Sequence, residues 1–378
     1  MPELSSRRAT FLSFQPPAVG EEEIAAVADT LRSGWLTTGP RAAELERRAA
    51  EYLEAKQVLA VASGTAALHL ALLAVGVRPG DEVITPSLTW PATANVVVHC
   101  GATPVFADVR ETDLTVDPQH VRELVSERTR AIVPVDLYGQ PADLDALRKL
   151  GLPVVEDAAH AFESRYRGRK VGSISDVTCF SLYATKNVAA GEGGLLATSD
   201  DGLAQAVDDL RVMRRGHGSL YDIIVPGYKA NFPDVLAAIA LVQLDKLERH
   251  ASIRRRHFAL YDDGVAGLDG IDPVARDPRD EHALHLYVVR VDTERAGATR
   301  EEYQRALADE NIGTSIHFLP VHRLAAYRDR LAPHQPPLPV TERAGREVLS
   351  LPLSPAHRDE DVHDAIDALR RVHARFTR

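Results

Sequence analysis

Short apolar runs alternate with longer helix-patterned stretches through the first half of the chain, and small-residue turns join them. VLAVASGTAALHLALLAVGV passes from an apolar run through Ser63, Gly64 and Thr65 straight into an Ala/Leu-rich helix pattern. DEVITPSLTWPATANVVVHCGATPVFADV then gives a strand over residues 82–85, a loop holding Trp90, a helix to His99 and a strand over 103–108. RAIVPVDLYGQP ends a strand at the turn 136–139, residues 143–150 read as a short helix, and LPVVEDAAHAF ends a strand on Glu156 and Asp157. Strand, helix, strand at this spacing implies parallel pairing and right-handed crossovers, hence an α/β sheet with helices on both faces. In such sheets functional groups collect outside the carboxyl ends of the strands. Gly64, Trp90, Asp157 and Lys186 all fall at or just beyond such ends.

The segment CFSLYATKNVAAGEGGLLAT sets Lys186 in a polar break between two apolar runs. Residues 180–183 read as a buried strand ending in a hydroxyl-bearing turn, and 195–198 restart as a strand after the Gly-rich segment. An ammonium walled by Phe180, Leu182, Leu195 and Leu196 loses hydration, which lowers its pKa toward the range where the free amine attacks a carbonyl. That is Schiff-base chemistry. A surface lysine in a flexible glycine loop is the plainer reading of the same residue.

The other candidates also carry two readings. Ser63, Gly64 and Thr65 at a helix start offer free backbone N–H groups, the positive dipole end and a hydroxyl, a seat for a phosphate, or a simple N-cap. Trp90 is either a packing residue or a plate for a flat cofactor. Asp157 is either a carboxylate at a strand end or the cap of a helix starting at Ala158. His160 is a candidate beside it or an ordinary helix-surface histidine. Phosphate seat, aromatic plate, carboxylate and desolvated lysine are together what pyridoxal phosphate needs: the carboxylate keeps the pyridine nitrogen protonated, and the lysine holds the aldehyde.

Length and charge narrow the class. A chain of 378 residues is long for one core and suggests a large and a small domain. With 44 basic against 54 acidic residues the net charge is −10 and no basic face is evident, which argues against nucleic acid as a partner. Cys100 and Cys179 both lie in apolar segments, as expected of a reducing compartment. The opening MPELSSRRATFLSFQPP lacks the apolar core of a signal peptide and no apolar run approaches a membrane span, so a cytoplasmic location is expected.

The flanking parts read as helices and a second unit. Glu21, Glu22 and Glu23 load the first turn of a helix over residues 19–32, and Leu45, Ala49 and Leu53 stripe a second over 41–53. Pro233 opens a strongly apolar helix over 234–248, and RRRHFALYDDG carries helical character onward. HALHLYVVRV reads as an alternating strand, 299–311 as a helix, SIHFLPVH as a strand or loop bearing His317 and His322, and 359–376 as the last helix. The expected division is 1–245 for the large α/β domain and 246–378 for a small α+β domain. His317 and His322 lack a third ligand nearby in sequence, so no metal is expected.

SGTAALHLAL, PSLTWPATANVV, VEDAAHAF, FSLYATKNVAAGEGG, PGYKANFPDVLAAIALVQL and GTSIHFLPVH resemble, in this order, the DegT-type nucleotide-sugar aminotransferases. These are pyridoxal phosphate enzymes of the aspartate-aminotransferase fold, with a large mixed or parallel α/β domain and a smaller C-terminal one. The resemblance runs over about residues 14–369. It implies that Lys186 is the Schiff-base lysine, Asp157 the pyridine-nitrogen partner and Trp90 the ring stacked on the cofactor. It also implies that Thr65, the Gly64 and Ala66 backbone and Ser181 hold the phosphate, and that His160 lies beside the ring. Asn231 resembles the asparagine that reaches the phosphate from the other subunit of a homodimer, and the segment of His317 and His322 is placed near the nucleotide sugar.

The activity so implied runs through pyridoxamine phosphate, with glutamate as donor and a keto sugar on a nucleoside diphosphate as acceptor. A dTDP-4-keto-6-deoxyhexose aminated at C4 is the expected substrate, with amination at C3 as the alternative, in antibiotic or cell-surface glycan assembly. Two residues depart from the pattern: Asp136 stands where many relatives carry His, and Lys229 where many have Asn, leaving Lys229 as a phosphate contact or a solvated side chain. Sugar dehydratases of the same family replace the lysine with His, against which Lys186 speaks. A cofactor-binding regulator fits the fold but no DNA-binding module or basic patch accompanies it. A nicotinamide oxidoreductase lacks its GxGxxG turn here.

Overall fold

The computed structural model describes residues 7–213, 222–331 and 335–377. Seven strands form the central sheet, in the order Gln57–Val61, Gly194–Thr198, Val177–Ser181, Val155–Asp157, Thr129–Ile132, Glu82–Pro86 and Thr103–Ala107. Parallel bridges between Ile132 and Val154 and between Val135 and Asp157 join its two halves. Gly194–Thr198 alone runs antiparallel to its neighbours; the pairs traced from the sequence alternation are parallel. Burial explains the composition: Val177 to Phe180 are buried, as are all five residues of Gly194–Thr198, so both strands read as continuous apolar runs.

Helices cover the sheet. Gly64–Ala74 packs Ala67, Leu68, Leu70, Ala71 and Leu72 into one core cluster with Val96, Val97, Val177 and Leu196. Pro40–Leu53 buries Ala42, Leu45, Ala49 and Leu53 against Phe180, Leu182 and Leu195 on the opposite face. Asp234 ties this layer together: its carboxylate accepts from the N–H groups of Gly39, Arg41 and Ala42 at 2.7, 3.0 and 2.9 Å. It thereby caps a helix from which it is distant in sequence.

A second core lies around the three-stranded sheet Ile271–Pro273, Tyr287–Val291 and Val348–Leu351, with Tyr261, Tyr303, Leu307, Val362, Ile366 and Leu369 buried against it. Leu12 belongs to this second core, bridged to Ile312, so the beginning of the chain packs with its end. The helix Asp234–Val265 is continuous and spans residues 245 and 246, where the sequence suggested a division. Nothing in DKLERHASIRRRHFALYDDGV breaks helical hydrogen bonding, so the chain passes from one core to the other inside a single helix.

Among the described residues no helix is long and apolar enough to cross a membrane.

Candidate active site

The strands Gln57–Val61, Val155–Asp157 and Val177–Ser181 end, and Gly194–Thr198 begins, at one edge of the sheet. A cleft of about 430 Å³ lies there, lined by Ser63, Gly64, Thr65, Trp90, Asp157, His160, Ser181 and Lys186, and by Gln15, His285, His317 and Phe318 from other parts of the chain. Most of the residues singled out in the sequence thus meet in one place.

Lys186 sits beyond the strand end on a loop pinned at its base. Tyr183 bridges to Gly191, and Lys186 N–H donates to the Tyr183 carbonyl at 2.8 Å. The strand itself is Val177–Ser181, beginning three residues and ending two residues before the sequence-based 180–183, which leaves Leu182 to fill the core while the loop turns Lys186 to the cleft. The residue as a whole is only partly buried because the cleft is open, but burial of the ammonium is still the largest influence on it. It lowers the pKa to about 8, against a weaker upward pull from the Asp157 charge.

Asp157 is fixed from two sides. Thr93 Oγ1 donates to Oδ2 at 2.8 Å and Ala159 N–H to Oδ1 at 3.3 Å. Burial raises its pKa, while those hydrogen bonds and Lys186 draw it down. No helix begins at Ala158: the chain turns at once, so Asp157 caps no helix and His160 is not on a helix surface. His160 is buried, its Nδ1 accepts the Tyr138 N–H at 3.2 Å, and burial with nearby Lys186 holds its pKa well below the usual imidazole value.

The helix Gly64–Ala74 begins directly at the cleft. Ser63 caps it, accepting the Ala66 N–H at 3.0 Å. Ala66 N–H is therefore already engaged, whereas no described residue takes up the N–H groups of Gly64 and Thr65, which point out of the first turn. The backbone is tight here. A Cβ on Gly64 would lie 3.1 Å from Ser181 Cβ, and one on Gly194 would lie 2.4 Å from the Ser63 carbonyl oxygen. Trp90 is 63% exposed at the rim, its ring centroid 5.9 Å from that of Phe318.

The remaining candidates lie elsewhere or act differently. Neither Lys229 nor Asn231 lines this cleft; Lys229 Nζ donates to Asn231 Oδ1, and Asn231 Nδ2 donates to Thr38 Oγ1 at 2.6 Å. His317 lines the cleft, with Nδ1 against Ser350 Oγ at 2.8 Å and its pKa lowered to about 3 by burial and Lys186. His322 does not: Nδ1 faces Ser87 Oγ and Nε2 faces Glu342, each at 2.7 Å, which gives it a structural place. No group of three His, Cys, Asp or Glu residues among the described ones is arranged to hold a metal. Asp136 is fully buried behind Asp157 beside Glu156; burial raises the pKa of both carboxyl groups.

Sequence reasoning missed His285, Gln15 and Phe318. Phe318 lies beside His317 inside GTSIHFLPVH, where the histidines alone were singled out, while Gln15 and His285 come from segments in which no local pattern marks them.

The model of the DegT/DnrJ/EryC1/StrS aminotransferase family matches residues 17–370. The spore coat polysaccharide biosynthesis protein SpsC of Bacillus subtilis (strain 168) is 44% identical over 385 aligned positions, covering 97% of this chain and 98% of SpsC. Among solved structures, Spr1654 of Streptococcus pneumoniae in its PLP form is 33% identical with a TM-score of 0.90, covering 97% of this chain and 99% of its own. DesI, solved in the presence of its TDP-sugar product, is 32% identical with a TM-score of 0.90, covering 99% and 95%.

Proposed function

This chain belongs to the DegT/DnrJ/EryC1/StrS aminotransferase family, and from that premise we propose that it aminates a keto sugar carried on a nucleoside diphosphate. The fold is the α/β aspartate-aminotransferase type, and the enzyme is a sugar aminotransferase. The observation that carries the reading is the meeting of Lys186 and Asp157 in one cleft, a low-pKa amine and a buried carboxylate.

Pyridoxal phosphate fits the residues present. The N–H groups of Gly64 and Thr65 with the Ser181 hydroxyl suit a phosphate, and the contact of Gly64 with Ser181 leaves no room for a side chain that would fill the seat. The exposed face of Trp90 suits a flat ring. Asp157, costly to ionise alone in a buried place, gains from a cationic nitrogen opposite it. When bound, the cofactor supplies an electrophilic aldehyde carbon and an electron-withdrawing ring.

The chain's own residues do the rest. Lys186, whose poorly solvated ammonium gives up its proton more readily than that of an exposed lysine, would hold the cofactor covalently. With its amine free, Lys186 Nζ would be the base that takes the donor's α-proton and delivers a proton in the cleft. Thr93 keeps Asp157 oriented and favours its ionised form against the effect of burial. His160, uncharged, offers one N–H without competing for the phosphate as a cation would.

Glutamate is the proposed donor and a dTDP-4-keto-6-deoxyhexose the proposed acceptor, aminated at C4. Support for C4 comes from the segments GYKAN and GTSIHFLPVH, which resemble C4-acting members, and support for a thymidine-diphosphate carrier from the likeness to DesI, solved with its TDP-sugar product. A homodimer is part of the proposal: Asn231 and Lys229 stand outside their own cleft and would serve the partner's. The likeness to SpsC favours cell-surface glycan assembly over antibiotic assembly as the destination.

The test is incubation with glutamate and a panel of thymidine- and uridine-diphosphate keto sugars, with the new amine located by NMR. Formation of a 4-amino sugar supports the proposal; a deoxygenated sugar without nitrogen contradicts it.

A further inference from the structure

Lys186 is followed by Asn187, a buried residue whose amide is fully engaged. Its Nδ2 donates to the Ala283 carbonyl at 2.9 Å and to the Glu163 carboxylate. Both partners are acceptors only, so the amide cannot be turned around, and Oδ1 is the atom facing His285 Nδ1 at 2.9 Å. An amide oxygen only accepts. The proton between them therefore sits on His285 Nδ1.

His285 is buried and its pKa is held well below the usual imidazole value, chiefly by burial and then by Lys186. The other groups that act on it are His317, Arg254 and His282, all basic, while Glu163 is neutralised by Arg254 and reaches it only through Asn187. A neutral ring with its proton on Nδ1 has a bare Nε2. That nitrogen has no protein partner among the described residues, and the ring lines the cleft.

His160 lies against it with ring centroids 4.5 Å apart and is set the opposite way. Its Nδ1 accepts the Tyr138 N–H, so its single proton is on Nε2. Tyr138 holds this position from a left-handed backbone, φ 63°, unusual for a residue with a side chain, and its carbonyl accepts the His285 main-chain N–H at 3.2 Å. One residue thus holds the His160 ring and the His285 backbone. The cleft wall carries two uncharged imidazoles of opposite tautomer, one offering a donor and one an acceptor.

We propose that His285, held by Asn187, is a positioning residue whose Nε2 accepts one N–H of the Lys186 amine after that amine is released from the cofactor, turning its lone pair toward the substrate carbon. This rests on the aminotransferase reading of the site and deepens it. No proton is transferred to His285, because burial among basic groups disfavours its cation. Its part is to orient the base, and an ill-aimed base loses proximity catalysis.

Two substitutions separate the cleft-facing acceptor from the Asn187 contact. His285→Asn keeps a donor where Nδ1 stands and removes the acceptor; His285→Gln places an amide oxygen near Nε2. The measurement is the rate of the first half-reaction with glutamate, followed by cofactor absorbance across pH, together with the ring tautomers of the wild-type holoenzyme by nitrogen NMR of labelled histidine. Expected are an Nδ1–H tautomer for His285, a His285→Asn rate about 10–100-fold lower with KM for glutamate unchanged, and recovery in His285→Gln to within about tenfold of wild type. An Nε2–H tautomer for His285, a His285→Asn enzyme as fast as wild type, or two variants equally slow would overturn the proposal. A wild type that transfers no amine while the tautomers are as stated would instead overturn the reading of the site as an aminotransferase.

Discussion

Thr93 Oγ1 donates to Asp157 Oδ2 at 2.8 Å, so a helix-borne hydroxyl from one strand–helix unit steadies a carboxylate at the end of another. Thr89 Oγ1 stands 2.8 Å behind Thr93 Oγ1 and extends the chain. This bond lowers the Asp157 pKa against the upward push of burial.

Thr93→Val keeps the shape and removes the donor. The Asp157 pKa rises further, so the ionised form that activity requires is lost at higher pH than in wild type. A hydrogen bond to a charged group contributes about 1.5–3 kcal/mol, which corresponds to roughly 10–100-fold on the acid side. A pH profile of kcat/KM is expected to show its acid limb moved upward, with recovery at high pH.

Asp157→Asn leaves the volume and the Thr93 contact nearly intact but removes the charge that partners the cofactor nitrogen. Turnover is expected to fall by about 10²–10³-fold, the scale seen when one electrostatic stabiliser is lost from a site. Circular dichroism should be unchanged. Full activity in the folded variant would remove the electron-withdrawing role assigned to this pair.

The Lys186 pKa is shifted the other way, downward, yet its active form is likewise favoured as pH rises. Its pKa is lowered, so the reactive free amine is scarce below about 8 and predominates above it. An exposed lysine would become reactive only near about 10.4. Capture of pyridoxal phosphate by cofactor-free protein, followed by absorbance in stopped flow, is expected to accelerate with pH to a midpoint near about 8.

Gly194 tests the phosphate seat. A Cβ there would lie 2.4 Å from the Ser63 carbonyl oxygen and 2.7 Å from Gly64 N, both backbone atoms with little room to yield. Gly194→Ala is expected to cost about 1–3 kcal/mol of stability by overpacking, measured by denaturant unfolding, and to weaken cofactor binding more than substrate binding.

Much of this architecture was legible because the buried strands are continuous apolar runs and the helices carry clear signals. The last helix matches residue for residue at Asp359–Phe376, and Pro40–Leu53 begins one residue before the expected start. Gly64, Trp90, Asp157 and Lys186, placed at or just beyond strand ends by the alternation, line one cleft, and Ser181, named only through the family resemblance, lines it too. Three things were hidden. Antiparallel placement of Gly194–Thr198 depends on pairing, which apolar runs do not encode. The absence of a helix after Asp157 follows from the Ala158 N–H bonding to the Cys179 carbonyl at 2.9 Å, a contact across the sheet. His285 and Phe318 reach the cleft from parts of the chain distant in sequence from Lys186, Phe318 by packing with Leu137 and Tyr138, so only the tertiary fold places them there, and the same fold ties His322 to Ser87 and Glu342, away from the cleft.

The central claim is that Lys186 is the amine that carries the cofactor. Lys170 provides an internal rival, since burial lowers its pKa to about 8 as well, but its Nζ lies over the Tyr52 ring at 3.9 Å and donates to the Glu163 carbonyl. Borohydride reduction of the holoenzyme, followed by peptide mass spectrometry, fixes the cofactor to whichever lysine holds it. The account predicts the phosphopyridoxyl group on the peptide containing Lys186 and on no other; its recovery on Lys170, or on any lysine outside the cleft, would contradict it.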